Sequence, residues 1–154
     1  MSFLKKDYNL YAPVSGEMIK LENVPDKTFS NKVLGDGVAF KVKGDKVYSP
    51  CNGKIILIAD TKHALVIENE NGVEVMIHIG LDTVELNGKG FELAVKTGQK
   101  VKKGQLLVEI NKEIMEQNNI DLTTMLILIN TNNKKYNRNE EVIVEPGQSV
   151  VISF

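Results

Sequence analysis

The apolar residues of this chain come in short runs, largely at alternate positions, and Gly, Asn and Asp separate the runs. Alternation over about four to eight residues between turn formers marks a half-buried β-strand. Nine segments carry it: 16–21, 38–42, 53–58, 63–68, 73–79, 106–110, 125–129, 142–144 and 150–154. Their regular spacing predicts an all-β fold, an antiparallel β-sandwich or barrel-like arrangement. One segment, 112–118, has helical character, with Asn111 placed to cap it. A second short turn is expected at 22–24, where Pro25 stops any helix.

Two internal repeats run through this pattern. Ala12-Pro13-Val14-Ser15-Gly16-Glu17-Met18-Ile19 parallels Ser49-Pro50-Cys51-Asn52-Gly53-Lys54-Ile55-Ile56, and Gly98-Gln99-Lys100-Val101 parallels Gly147-Gln148-Ser149-Val150. Their offsets differ, which excludes a solenoid and fits a strand motif duplicated once. The polar stretch 130–139 lies between strand candidates and marks no boundary. Residues 1–154 therefore read as a single domain, with 1–10 expected to be flexible.

Asn71-Gly72 lies between two β-branched runs, a strong hairpin signal. A two-residue loop there pairs Glu68 with Val75 and Leu65 with His78. Opposed residues share a face. One face then carries His63, Leu65, Ile67, Glu74, Met76 and His78; the other carries Ala64, Val66, Glu68, Val75, Ile77 and Ile79. The stripe of Val75, Ile77 and Ile79 makes the second the core face. The chain's two histidines converge on the first, beside Leu65, Ile67 and Met76. A three-residue loop would send them to opposite faces.

Composition narrows the function. The net charge of −1 excludes a general nucleic-acid binder. Lysines clustered at 100–103 and 134–135 read as solvated strand edges. Cys51 is the one cysteine, so no intrachain disulfide forms and a reducing compartment, the cytoplasm, is expected. Cys51 itself reads as a small packing residue. Neither the apolar core of an export signal nor a run of eighteen apolar residues occurs, so no membrane insertion is expected.

Paired imidazoles suit group transfer. Near neutral pH an imidazole keeps one nitrogen lone pair, which can attack phosphorus. A second imidazole can donate a hydrogen bond to the phosphoryl charge. Thr61, two residues before His63, can fix that ring's tautomer. The Gly80 carbonyl lies within reach of His78, and Asp82 can meet a basic residue of a partner or simply form its own turn.

These residues closely resemble the glucose-class IIA domain of the bacterial phosphoenolpyruvate-dependent sugar phosphotransferase system. The resemblance rests on His63-Ala64, Gly72-Val73-Glu74, His78-Ile79-Gly80-Leu81-Asp82-Thr83-Val84-Glu85-Leu86 and Gly88-Lys89-Gly90-Phe91. Ala12-Pro13-x-Ser15-Gly16, Val24-Pro25-Asp26, Phe29, Gly35-Asp36-Gly37-Val38-Ala39, Pro50-x-x-Gly53 and Gly98-Gln99-x-Val101 extend it over nearly the whole chain. It implies an antiparallel β-sandwich and a phosphocarrier. His78 would accept a phosphoryl group on Nε2, His63 would support it, and Thr61 would orient His63. The donor would be the phosphohistidine carrier HPr, and the acceptor a cysteine of a cognate IIB domain. Val24, Asp26, Phe29, Leu34, Leu65, Ile79 and Asp82 would form the partner surface. No cofactor is required; zinc would bind His63 and His78 only at a partner interface. Leu65 and Ile79 stand where some relatives carry Phe, which bears on regulatory protein partners. The long N-terminal extension of some relatives is largely missing, so tail-mediated membrane association is not expected.

Two rival readings draw on the same residues. A zinc hydrolase would use His63 and His78 with Asp60 or Asp82 as the third ligand, but catalytic zinc also wants a separate base. A biotinyl- or lipoyl-type carrier would use the turn at 98–105, which lacks the attachment lysine motif.

Overall fold

The computed structural model describes residues 6–154. Strands β1 (Leu10–Tyr11), β2 (Gly16–Lys20), β3 (Asp36–Val42), β4 (Lys46–Tyr48) and β5 (Gly53–Ile58) come first. The central hairpin is β6 (Ala64–Asn69) and β7 (Glu74–His78). Then follow β8 (Phe91–Leu93), β9 (Lys100–Val101), β10 (Leu106–Ile110) and β11 (Thr124–Asn130). The last are β12 (Asn137–Arg138), β13 (Ile143–Val144) and β14 (Val150–Ser153). Helices α1 (Lys27–Ser30) and α2 (Lys112–Gln117) are short, and 3₁₀ turns occupy Leu21–Asn23 and Thr83–Leu86. The expected turn at 22–24 is the first of these. Helix α1, started by Asp26 accepting from the Thr28 N–H at 2.9 Å, is additional to it. The strands that escaped the sequence reading, β1, β4, β8, β9 and β12, have two or three residues each, too few to show a period.

Eight strands form one antiparallel sheet in the order β13-β2-β3-β11-β7-β6-β5-β9. Two three-stranded sheets, β1-β14-β12 and β4-β10-β8, pack over one face, so the main core is lined by all three. The other face is covered locally by the segment through α1. There Leu21, Val24, Phe29 and Leu81 pack on Ala39, Met125 and Ile127 to form a second, smaller core. Strand β11 is buried on both sides, which explains why Thr124–Leu128 is apolar without alternation.

The duplication is visible in the folded chain. The Tyr11 N–H donates to Pro50 O and the Tyr48 N–H to Pro13 O, both at 2.8 Å, so the two Pro loops clasp each other reciprocally. Gly16 and Gly53 open the strands that follow. A Cβ on either would run into a carbonyl of the neighbouring strand, Lys41 O or Glu68 O, and this close approach requires glycine. The second repeat has a different counterpart from the one expected. Ser149 O accepts from the Ala12 N–H at 2.9 Å, as Gln105 O accepts from the Ser49 N–H at 2.8 Å. Ser149 thus corresponds to Gln105, and the turn after Gly147 to the turn at Gly104; the Gly98-Gln99 turn instead bonds to Ile55 of β5.

The hairpin register also differs from expectation. Leu65 pairs with Ile77, Ile67 with Val75 and Ala64 with His78. The loop holds residues 70–72, closed by the Asn69 N–H to Val73 O at 2.8 Å, with Gly72 at φ +85°. Burial decides between the registers. This one puts Leu65, Ile67, Val75 and Ile77 together in the main core, each at 0% exposure. The two-residue loop would have split that set between faces.

Of the expected flexible leader, residues 1–5 lie outside the described residues. From Tyr8 onward the chain is held: Tyr8 O accepts from Asn69 Nδ2 at 2.8 Å, and Leu10 is fully buried in β1.

Candidate functional site

His78 ends β7, on the face that carries the smaller core, with Met125 of β11 as its neighbour across the ladder. The chain then turns sharply. Gly80 has φ +78°, which swings its carbonyl back to His78 Nδ1 at 3.0 Å. A carbonyl only accepts, so Nδ1 carries the proton and Nε2 keeps the lone pair. Around this turn, Thr83 Oγ1 donates to Ile79 O at 2.6 Å and the Leu81 N–H donates to Asp121 O at 2.8 Å.

His63 reaches the same place by another route. In this register, continuing the strand alternation would send it to the core side. It precedes β6, however, and follows Lys62 at φ +61°, so it has left the pleat. The Ile79 N–H donates to His63 O at 2.7 Å, tying the two histidine segments together. The rings stand 4.8 Å apart, centroid to centroid, at an interplanar angle of 79°. The convergence expected from sequence is present, but the turn at Lys62 creates it rather than a shared strand face. Thr61 Oγ1 lies 2.6 Å from His63 Nδ1.

Phe29 closes a third side, its ring 4.8 Å from that of His78 in an edge-on arrangement. Burial and the neighbouring His63 push His78 down to about 4, against opposing pulls from the Gly80 hydrogen bond and Asp26. Burial lowers His63 as well. Both imidazoles are therefore neutral at neutral pH, the state in which Nε2 is a nucleophile.

Of the expected partner residues, Leu34 and Asp82 are exposed and Asp26 is half-buried. Val24 and Phe29 are largely buried and act as walls. Leu65 and Ile79, both at 0% exposure, are packing residues of the main core and present no surface. Of the two readings open for Asp82, the self-bonded turn is absent: the residue is left-handed, at φ +58°, and its carboxylate makes no capping bond. Val33 and Val84, exposed at 70% and 51%, adjoin this group in sequence and were missed. Val84 stands alone between Thr83 and Glu85, which was the available signal; Val33, beside Leu34, gave none. Among the described residues no group of three His, Cys, Asp or Glu side chains is arranged to hold a metal ion, so the hydrolase reading lacks its third ligand.

A neutral imidazole with one nitrogen pinned and the other free, facing a second imidazole on an antiparallel β-sandwich, defines a phosphohistidine-type transfer protein. Comparison with known proteins agrees. Residues 8–134 match the sequence family described as phosphoenolpyruvate-dependent sugar phosphotransferase system, EIIA 1. The chain is 40% identical to the PTS system glucose-specific EIIA component of Oceanobacillus iheyensis, over 96% of this chain and 90% of that one. It is 37% identical to that of Buchnera aphidicola, over 99% and 94%. The solved glucose permease IIA from Mycoplasma capricolum superimposes with a TM-score of 0.87 at 35% identity, covering 99% of both chains. The chain belongs to this EIIA family: it is a phosphocarrier of sugar uptake that works through a phosphohistidine intermediate. No helix among the described residues is long and apolar enough to cross a membrane.

Proposed function

We propose that His78 is the phosphoryl acceptor, through Nε2, and that His63 and Thr61 serve it. The Nε2 lone pair attacks the phosphorus of phospho-HPr; the new N–P bond forms as the N–P bond to the donor breaks. In the second step a thiolate of a IIB domain attacks the same phosphorus, and His78 leaves as a neutral imidazole again. Both steps take place in the cytoplasm, where phosphoenolpyruvate supplies the phosphoryl group.

One observation carries this reading: the Nδ1–Gly80 O bond at 3.0 Å, which selects the tautomer with a free Nε2. Thr61 donates its hydroxyl proton to His63 Nδ1, which leaves the Nε2–H of His63 to donate to a phosphoryl oxygen. Asp26 and Asp82 offer carboxylates to a basic residue of the partner, and Leu34 offers apolar contact. No cofactor is needed for either step, and zinc would sit between the two imidazoles only where a partner adds a carboxylate.

Incubation with phosphoenolpyruvate, Enzyme I and HPr tests the reading. The protein should gain one acid-labile, base-stable phosphoryl group, and His78→Gln should abolish the gain. His63→Gln should still accept but pass the group to IIB roughly 100-fold more slowly, the scale of losing one preorganised donor. If His63→Gln blocked acceptance while His78→Gln did not, the two roles would be reversed.

A further inference from the structure

The segment that walls His78 is fastened from a distant part of the chain. Arg138, on β12, lies beyond the residues matched by the family. Its Nη1 donates to Glu22 Oε1 at 2.7 Å and its Nη2 to Glu22 Oε2 at 3.3 Å. The same Nη1 lies 3.4 Å from Asp36 Oδ1 and 3.4 Å from Gly37 O. Lys32 bridges the two carboxylates, 3.8 Å from Glu22 and 3.2 Å from Asp36. Tyr136 donates to Asp36 Oδ2 at 2.8 Å.

Glu22 and Asp36 bracket the stretch that contains Asp26, α1 and Phe29. That stretch contributes Leu21, Val24 and Phe29 to the smaller core and sets the Phe29 ring against His78. A lone exposed ion pair does little, but a forked guanidinium within a network of charges holds a fixed geometry. Without the guanidinium, two carboxylates would face each other with only Lys32 between them.

We propose that Arg138 is a positioning residue for phosphoryl transfer: by clamping Glu22 to Asp36 it holds the segment that presents Phe29 and Asp26 to His78. The inference rests on His78 being the acceptor, but its mechanical part does not. Loosening the segment admits water to His78. It also frees the Phe29 ring, 4.8 Å from that of His78, to leave its edge-on contact.

The test uses Arg138→Gln, Arg138→Lys and a core control away from the site, Ile110→Val. In NMR spectra of Arg138→Gln the through-space contacts between the Phe29 and His78 rings should be weakened or lost. KM for phospho-HPr should rise several-fold with little change in kcat. Arg138→Lys, which keeps the charge but not the fork, should fall between Arg138→Gln and the unaltered protein. Ile110→Val should lower thermal stability without moving either quantity. The clamp is refuted if Arg138→Gln leaves the ring contacts and KM unchanged, or if Ile110→Val moves them equally. If the unaltered protein takes no phosphoryl group on His78, the acceptor assignment fails, and the ring contacts still decide the clamp.

Discussion

At the scale of single residues the site depends on two backbone turns as much as on imidazoles. Gly80→Ala would force a left-handed alanine and place its Cβ 2.5 Å from Thr83 Cγ2 and 3.2 Å from Asp121 O. The strain is about 1–3 kcal/mol. Relief would rotate the carbonyl off Nδ1, so phosphoryl acceptance should slow more than the drop in thermal midpoint alone explains. A quench-flow acceptance assay beside a melting curve separates the two effects. His78 also ties stability to pH. Its folded value of about 4 lies below the ordinary 6.5, so the unfolded chain binds the proton more readily. This contribution is complete above about pH 6.5 and is lost as pH falls through about 4, at most about 3 kcal/mol. Denaturant midpoints should therefore fall more steeply with acid in the unaltered protein than in His78→Gln; equal slopes would refute the burial argument. Residue identities at the site were legible in the sequence because the His78–Phe91 stretch is so distinctive. The geometry of His63 was not, since a left-handed Lys62 leaves no pattern.

At the scale of elements, every strand of four residues or more was found, by its period or, for β11, by its apolar run, whereas of the two- and three-residue strands only β13 was. Those short strands exist because neighbours supply their hydrogen bonds, a tertiary cause. The β6–β7 register shows the limit of a local rule. Asn71-Gly72 favoured a two-residue loop, yet burying Leu65, Ile67, Val75 and Ile77 on one face outweighed it. The difference can be measured. Leu65→Ala should cost about 2–5 kcal/mol by emptying a core position and leave affinity for HPr unchanged. Leu34→Ala, at 42% exposure, should leave stability within about 0.5 kcal/mol and weaken HPr binding. Urea melts and titration calorimetry check both; in the two-residue-loop register Leu65 would face the histidines, and Leu65→Ala would weaken HPr binding instead.

At the scale of the whole molecule, the all-β architecture and the Pro-x-x-Gly duplication were legible because both rest on repeated local patterns. The pairing of the Gly147 and Gly104 turns was not, because only the folded chain brings their partner loops together. The two cores meet at the eight-stranded sheet, and Cys51 lies in the larger at 1% exposure. Burial pushes its thiol up to about 12. Alkylation should therefore be undetectable in the native protein and track global unfolding, with a urea dependence matching that of circular dichroism. Labelling well below the transition would reveal a local opening between the sheets.

The pairing of β1 with β14 has a consequence for attachment. Leu10 lies opposite Ile152, and the Phe154 N–H donates to Asn9 Oδ1 at 3.1 Å. Polypeptide joined at either side would leave from the same seam. The β-sandwich is thus suited to insertion into a host sequence, entering and leaving as a loop does, without parting any strand that supports His78.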